Sequence, residues 1–163
     1  MSATPNRASQ PPAGKPKKSK DVQFDLATAR KMLPLVRGIV ADIVDSQTRL
    51  DALVPESEKL ERDRRALDWA ARQRRYAMTD EIATAEKALG AAVAELAGLG
   101  VSLADAGRGQ VDFPTRINSR PAAFSWQLGE AALGHWRYAG EEHRRGIPAD
   151  WQAGTPVRHR AEP

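Results

Sequence analysis

Cysteine is absent from this 163-residue sequence, which excludes disulfide bonds, thiolate metal ligands and cysteine nucleophiles. Aromatic residues make up only 6% of the chain although 41% is hydrophobic, so the core of a folded domain has to be mostly aliphatic. The sequence has no run of about eighteen apolar residues, and its first positions hold no apolar run of signal-peptide length. These absences predict one modest cytoplasmic domain with no membrane span.

Acidic residues are missing from the first twenty positions, which are rich in Pro, Ser and Lys. Five of the 25 basic residues lie there, and the remaining 20 face 21 acidic residues, so the pI of about 9.7 belongs to this stretch. Such a composition cannot bury enough apolar surface to order itself. We predict that residues 1–21 form a disordered basic tail, with weak nucleic-acid contact through that tail as an alternative to a merely solvated arm. The five basic residues are Arg7, Lys15, Lys17, Lys18 and Lys20.

Two helices are predicted in the first two thirds of the chain. The first spans about residues 26–53, with Asp25 as its N-cap and a bend or late start at Pro34, and the second spans about 57–97. The segment Val54–Ser57 is predicted to be the turn between them, because proline disfavours helical angles in the residue before it. At full length the second helix either overhangs the first or breaks near Gln73–Thr79. The coiled-coil-like seam of the first helix consists of Ala29, Met32, Val36, Ile39, Ile43, Ser46, Leu50 and Leu53.

Hydrophobic periodicity changes from helical to alternating after Gly100, which predicts short strands within residues 101–138. The resulting fold class is α+β: a long antiparallel helical hairpin followed by a small antiparallel β-meander, in a single domain over residues 22–140. Residues 141–163, rich in charge, Pro and Gly, are predicted to be a partly ordered C-terminal tail. One sheet face collects Val111, Phe113, Phe124, Trp126, Leu128, Trp136 and Tyr138, and the other collects Gln110, Asp112, Ser125, Gln127, His135 and Arg137.

Short motifs in this chain resemble an uncharacterised bacterial family, domain of unknown function number 2203, over about residues 24–147. They are Phe24 before a helix with a Leu33-Pro34 step, Leu99-Gly100-Val101, the VDFP segment 111–114, a W-x-L-G-E block at 126–130, and a tryptophan beside a histidine at 135–136. Where the family pattern has a cysteine before the first tryptophan and a histidine after the second, this chain has Ser125 and Arg137. The resemblance implies a fold and an intracellular bacterial origin, and it implies no activity.

Five residues of the last third are candidates for ligand binding: Asp112, Trp126, Glu130, His135 and Arg137. Glu130 ends a strand, where a carboxylate accepts backbone amides or pairs with an arginine such as Arg116, Arg120 or Arg137. The loops that join the strands are the best place for a small polar ligand. No catalytic residue is predicted, since the glycine-flanked turn that presents a serine nucleophile is missing around Ser125.

No metal and no cofactor are predicted, because the spacing of Asp112, Glu130, His135, Glu141 and His143 matches no known ligand pattern. The arginine-rich segment around Trp69 and Tyr76 could grip nucleic acid, but its interleaved acids favour a solvated helix face.

Two functions from different classes remain open. The first is a non-enzymatic structural or interaction module that self-associates as a homodimer through the seam of its first helix. The second is a small-ligand or metal-binding protein, or a weak enzyme, that uses the Asp112/Glu130/His135 region. A pocket lined by those side chains would favour the second function, and a flat solvated sheet would favour the first.

Overall fold

Two helices followed by a five-stranded antiparallel sheet make up the fold, which confirms the predicted α+β class. The structure is a computed structural model that describes residues 22–151, so the predicted basic tail, residues 1–21, and residues 152–163 lie outside the described part. The strands follow one another across the sheet in chain order, as in a meander. The elements are α1 (Leu26–Arg62), α2 (Trp69–Gly98), β1 (Ser102–Asp105), β2 (Gln110–Ile117), β3 (Arg120–Gln127), β4 (His135–Tyr138) and β5 (Arg145–Gly146).

Helix α1 begins at Leu26 and runs through Pro34, so the alternative of a late start at Pro34 is wrong, and the helix ends later than predicted. The side chain of Asp25 accepts a hydrogen bond from the Thr28 N–H at 2.6 Å, which satisfies an amide of the first turn. The predicted turn at Val54–Ser57 is wrong, because the helix continues through Pro55 to Arg62. Proline removes one backbone hydrogen bond, and the packing of Leu50 and Leu53, both buried, holds the turn of helix that leads into Pro55.

The chain reverses direction at residues 63–68, and α2 then runs uninterrupted to Gly98. Asp68 caps α2 by accepting from the Ala71 N–H at 2.7 Å. Since α2 begins at Trp69 rather than near residue 57, it needs no break near Gln73–Thr79. The two helices are about 55 and 45 Å long at the usual rise per residue.

The core lies between α1 and one face of the sheet, with the last turns of α2 closing its side. Phe113 and Trp126, both fully buried, belong to the sheet face that alternation assigned to the core. Phe24, just before α1, packs edge-on against Phe113 with ring centroids 5.5 Å apart, and its N–H donates to the carbonyl of Pro114. The opposite face of the sheet, turned away from the helices, is called the outer face below.

A glycine fixes the contact between the sheet and α1. Gly109 lies in the turn between β1 and β2 with φ +65°, and its carbonyl accepts from the Leu128 N–H. A Cβ at this position would lie 2.8 Å from atoms of Val40 and Leu128, so glycine is required for both its conformation and its size. Within residues 22–151, neither helix combines the length and the apolar character that crossing a bilayer requires.

Candidate functional site

The W-x-L-G-E block forms a closed turn at the end of β3. The indole Nε1 of Trp126 donates to the carbonyl of Glu130 at 3.1 Å, and the Gln127 N–H donates to the Glu130 carboxylate at 2.9 Å. Gly129 has φ +102°, a conformation that side chains rarely adopt. The spacing of the block therefore has a structural cause. Trp126 packs in the core, Gly129 permits the turn, and the Glu130 carboxylate lies on the outer face.

Arg144 is the partner of Glu130, in place of the arginines that the sequence suggested. Its two terminal nitrogens donate to the two carboxylate oxygens, each at 2.8 Å, in the bidentate arrangement that makes arginine pairs strong. Nε and Nη2 also donate to the hydroxyl and the carbonyl of Ser125, both at 3.0 Å. Burial raises the pKa of the Glu130 carboxyl, but the hydrogen bonds from Arg144 and from the Gln127 N–H together hold that pKa below its ordinary value.

Asp112, Ser125 and His135 lie side by side across three strands on the outer face. Ser125 is nevertheless fully buried, because the Arg144 side chain covers it. Its hydroxyl oxygen accepts from Arg144 and, at 3.4 Å, from the Gln110 side chain, and within residues 22–151 neither Asp112 nor His135 bonds to it. No base is placed to take the Ser125 proton, so this row lacks the contacts of a hydrolytic triad.

His135 stands beside the Glu130 carboxylate without bonding to it. Its Nδ1 lies 3.5 Å from a carboxylate oxygen, close enough for charge interaction when the ring is protonated. The same nitrogen is buried and makes no hydrogen bond within the described residues, so the contact has the distance of an ion pair and not the geometry of a hydrogen bond.

A second ion pair, between Asp112 and Arg137, lies next along the outer face. Arg137 donates through Nε and Nη2 to the two oxygens of Asp112, and through Nη1 to the carbonyl of Glu141 at 2.9 Å. Both side chains are mostly buried. The structure thus sorts the five predicted site residues into Asp112 with Arg137, Glu130 with His135, and Trp126 alone on the core face.

A cleft of about 340 Å³, called the outer cleft here, opens on the outer face beside the Asp112–Arg137 pair. Its floor is formed by proline and alanine side chains of β2 and β3. Arg116 is exposed at its far end, where it donates to the carbonyl of Ser119 and makes no ion pair within residues 22–151. The lining residues are Val22, Gln23, Ser102, Asp112, Pro114, Thr115, Arg116, Pro121, Ala122, Ala123, Arg137, Tyr138, Ala139 and Gly140.

The acids considered as metal ligands are each held by an arginine. Asp112 pairs with Arg137, Glu130 with Arg144, and Glu141 with Arg145. In the described part of the chain, no three His, Asp or Glu side chains converge as metal ligands would.

The sequence did not predict a role for Arg144, because the composition of residues 141–163 indicated a partly ordered C-terminal tail. Two signals were present. Ile147 and Trp151, apolar residues that pack against the edge of the core, follow closely, and a carboxylate at the end of a buried strand needs a cation.

A family model described as "Uncharacterized conserved protein (DUF2203)" matches residues 23–147 of the chain. No curated protein and no solved structure is similar enough to match. The matched range includes both helices, all five strands and every charged residue of the two ion pairs.

Proposed function

Because the chain belongs to the DUF2203 family of uncharacterised conserved proteins, whose description assigns no activity, we propose a function from the outer face itself. The protein is a non-enzymatic binding module, and its outer cleft takes a small organic anion with a flat apolar body. The observation that carries this proposal is Arg116, which forms no ion pair within residues 22–151, at the end of a cleft with an apolar floor.

The floor of the cleft supports the flat apolar body. Pro114, Pro121 and Ala123 lie on the same side of neighbouring strands and present rings and a methyl group without a polar side chain between them. A volume of about 340 Å³ lies near the lower end of the range for small-molecule sites. A ring-sized ligand would cover this floor and remove its apolar surface from water.

The charges around the cleft support an anionic ligand. Asp112 and Arg137 neutralise each other at one wall, which leaves Arg116 as the charge without an opposite partner in the lining. A planar guanidinium recognises a carboxylate with two parallel hydrogen bonds. Because the Asp112–Arg137 pair offers no net positive charge, the ligand carries its charge at the Arg116 end.

The state of the nearby acids and bases supports a binding role over catalysis. Asp112, Glu130 and Glu141 each engage an arginine, and the Ser125 hydroxyl is covered. A general base has to reach a proton of the substrate. The three carboxylates instead accept hydrogen bonds from arginines of the same chain.

The test is a thermal-shift titration of the full chain with benzoate, benzamide and inorganic phosphate. A ligand that binds only the folded state raises the melting temperature with its concentration. Benzoate is expected to raise it most, since benzamide lacks the charge and phosphate lacks the ring. The variant Arg116→Gln should lose the benzoate response, while Arg108→Gln, at a 73% exposed side chain in the β1–β2 turn, should keep it.

Three equal responses, or no response to any probe, would contradict the proposed ligand class. An Arg116→Gln protein that responds to benzoate as the Arg108→Gln protein does would place binding elsewhere.

Self-association is the second candidate function, and a specific observation favours it. Trp69 and Tyr76 are 70% and 61% exposed on α2, far more than aromatic side chains of a monomer usually are.

A further inference from the structure

The two exposed aromatic side chains of α2 lie on the side of the helix that faces away from its own chain. Buried positions of α2, such as Met78 and Ala85, define its packing side. At about 100° per residue, Trp69 and Tyr76 lie roughly 180–200° from Ala85 around the helix axis. Both side chains are therefore exposed because they lie on the side of α2 that points away from the chain. We call this side of the helix the α2 outward face.

In its second half the same face carries three small residues besides Lys87. Ala83, Gly90 and Ala94 continue the stripe from Trp69 and Tyr76, and all three are exposed. A Cβ built on Gly90 would meet no atom within 4 Å, so the space above it is open. One half of the α2 outward face thus carries two large rings, and the other half can receive them.

Charged side chains also lie on this face: Arg72 and Asp80 in the half with the rings, and Lys87 in the half with the small residues. Asp80 and Lys87 are exposed on this stripe, and within residues 22–151 neither forms an ion pair. They lie at nearly equal distances from the midpoint of α2, one on each side.

We propose that the α2 outward face is a homodimer interface, in which the α2 helices of two copies pack antiparallel about a two-fold axis at Ala83 and Thr84. This point is the middle of Trp69–Gly98, so the whole helix takes part. In this register Tyr76 of each copy lies on Gly90 of the other, and Asp80 of each lies opposite Lys87 of the other. Trp69 lies on the small residues Ala97 and Gly98 at the end of the other helix.

Symmetry selects the antiparallel arrangement. A two-fold interface has to be complementary to itself. Antiparallel packing places rings on small residues and opposite charges together. Parallel packing would place Trp69 against Trp69 and Asp80 against Asp80, which crowds the rings and repels the charges.

The expected size of the contact agrees with a specific dimer. Each buried aromatic side chain contributes about 150–250 Å², so the four rings, already partly covered, supply roughly half of the about 1,000 Å² that a specific interface needs. Open space above Gly90 allows the two backbones to approach closely, which adds to this area. The seam of α1, which the sequence suggested as the dimer contact, is already buried by α2 and the sheet within one chain.

The first experiment measures mass by light scattering after size exclusion, on the full chain at tens of micromolar. The wild-type chain is expected at twice its 17.8 kDa. Asp80→Lys places two lysines together at both symmetric contacts and should weaken the dimer by about tenfold or more. Adding Lys87→Asp to it should restore the dimer, and Asp42→Lys, at an exposed position of α1, should leave the dimer unchanged.

The second experiment uses the absence of native cysteine. Under mild oxidation, Ala83→Cys should cross-link two copies because this position lies beside its own copy next to the two-fold axis, whereas Ala94→Cys, which keeps both rings, should not. Cross-linking of both variants would indicate a parallel pair and would overturn the proposed register. A wild-type monomer at tens of micromolar, or a charge-reversed pair that fails to restore the dimer, would overturn the interface itself.

Discussion

At the scale of single residues, Arg144 explains how a carboxylate can stay charged on a sheet with little solvent around it. Glu130 is a quarter exposed, and it keeps its charge because one guanidinium and one backbone amide donate to it. A charge with so little water needs such partners. The same guanidinium covers Ser125 and so attaches the segment between β4 and β5 to the sheet.

Trp126 is the residue whose loss should cost the most. It is fully buried, its indole N–H bonds the Glu130 carbonyl, and the Arg37 guanidinium lies 5.7 Å from its ring. Trp126→Ala should lower the free energy of unfolding by about 3–5 kcal/mol. Urea unfolding measures this loss. Leu35→Ala, at a half-exposed position, should change it by about 0.5 kcal/mol or less, and a similar loss in both variants would contradict the assignment of the sheet faces.

Glu130 makes part of the stability dependent on pH. Burial raises the pKa of its carboxyl, but Arg144 and the Gln127 N–H hold the pKa in the folded state below the ordinary value of 4.5. This stabilisation is therefore complete above the unfolded-state pKa and is lost as the pH falls through the folded-state pKa. Between about pH 5 and 3, the wild type should lose stability more steeply than Glu130→Gln. Urea unfolding at several pH values measures the two slopes. Exposed Glu86, changed to Gln, should leave the slope unaltered, and equal slopes for wild type and Glu130→Gln would contradict the pairing.

At the scale of elements, the turn of the helical hairpin is made by capping and not by proline. Asp68 begins α2, and the chain between Arg62 and Trp69 forms only short-range bonds, such as that from the Ala66 N–H to the Asp63 carbonyl. Pro55 lies within α1 and leaves one helical carbonyl without its usual donor. The hairpin beyond Pro55 is held by surface pairs such as Arg75 with Glu61, each worth little in water.

Pro55→Ala should therefore stabilise the protein. It restores a helical hydrogen bond, and the larger freedom of the unfolded chain offsets part of the gain, which leaves about 1–2 kcal/mol. Thermal and urea unfolding both report this change. Pro148→Ala, outside the helices and strands, should show no comparable gain, and a destabilised Pro55→Ala protein would mean that Pro55 is adapted to a bend.

Periodicity predicted the two helices, the first four strands and the faces of the sheet, because burial itself produces the periodic pattern. It did not predict β5, which lies beyond residue 138 in the segment expected to be a tail. The Asp25 cap and the strands between residues 101 and 138 followed from local patterns. The end of α1 could not be predicted from local patterns, since a proline weakens a helix and tertiary packing decides whether the helix continues. The role of Arg144 did not follow from local patterns either, because Arg144 binds a side chain fourteen positions away that only the folded sheet brings near.

At the scale of the whole molecule, helices and sheet present different surfaces for different partners. The outer cleft is concave, and among its lining residues Arg116 forms no ion pair with the described part of the chain, which suits a small anion. The α2 outward face is long and convex, with rings, small residues and charges of both signs, which suits a second copy. The two surfaces share no residue, so either proposal can fail without the other.

Removal of the basic tail should leave the fold intact. Residues 1–21 contribute almost no apolar side chains, so a chain that starts at Asp21 should keep its melting temperature within about 2 °C. Removing the tail should lower any affinity for single-stranded nucleic acid, and added salt should weaken the binding of the full chain. Differential scanning calorimetry and a salt titration of binding measure both. A large drop in melting temperature, or salt-independent binding by the truncated chain, would contradict this interpretation.

The most direct test of the binding role is a benzoate titration of the ¹⁵N-labelled chain, followed by backbone amide shifts in NMR spectra. Binding in the outer cleft should move the amides of Ala123, Arg137, Ala139 and Gly140 with one common affinity, since these residues line it. Amides of the hairpin turn at residues 63–68, at the far end of the helices, should not move. Shifts that cluster at the hairpin turn, or no saturable shifts in the cleft, would contradict the account.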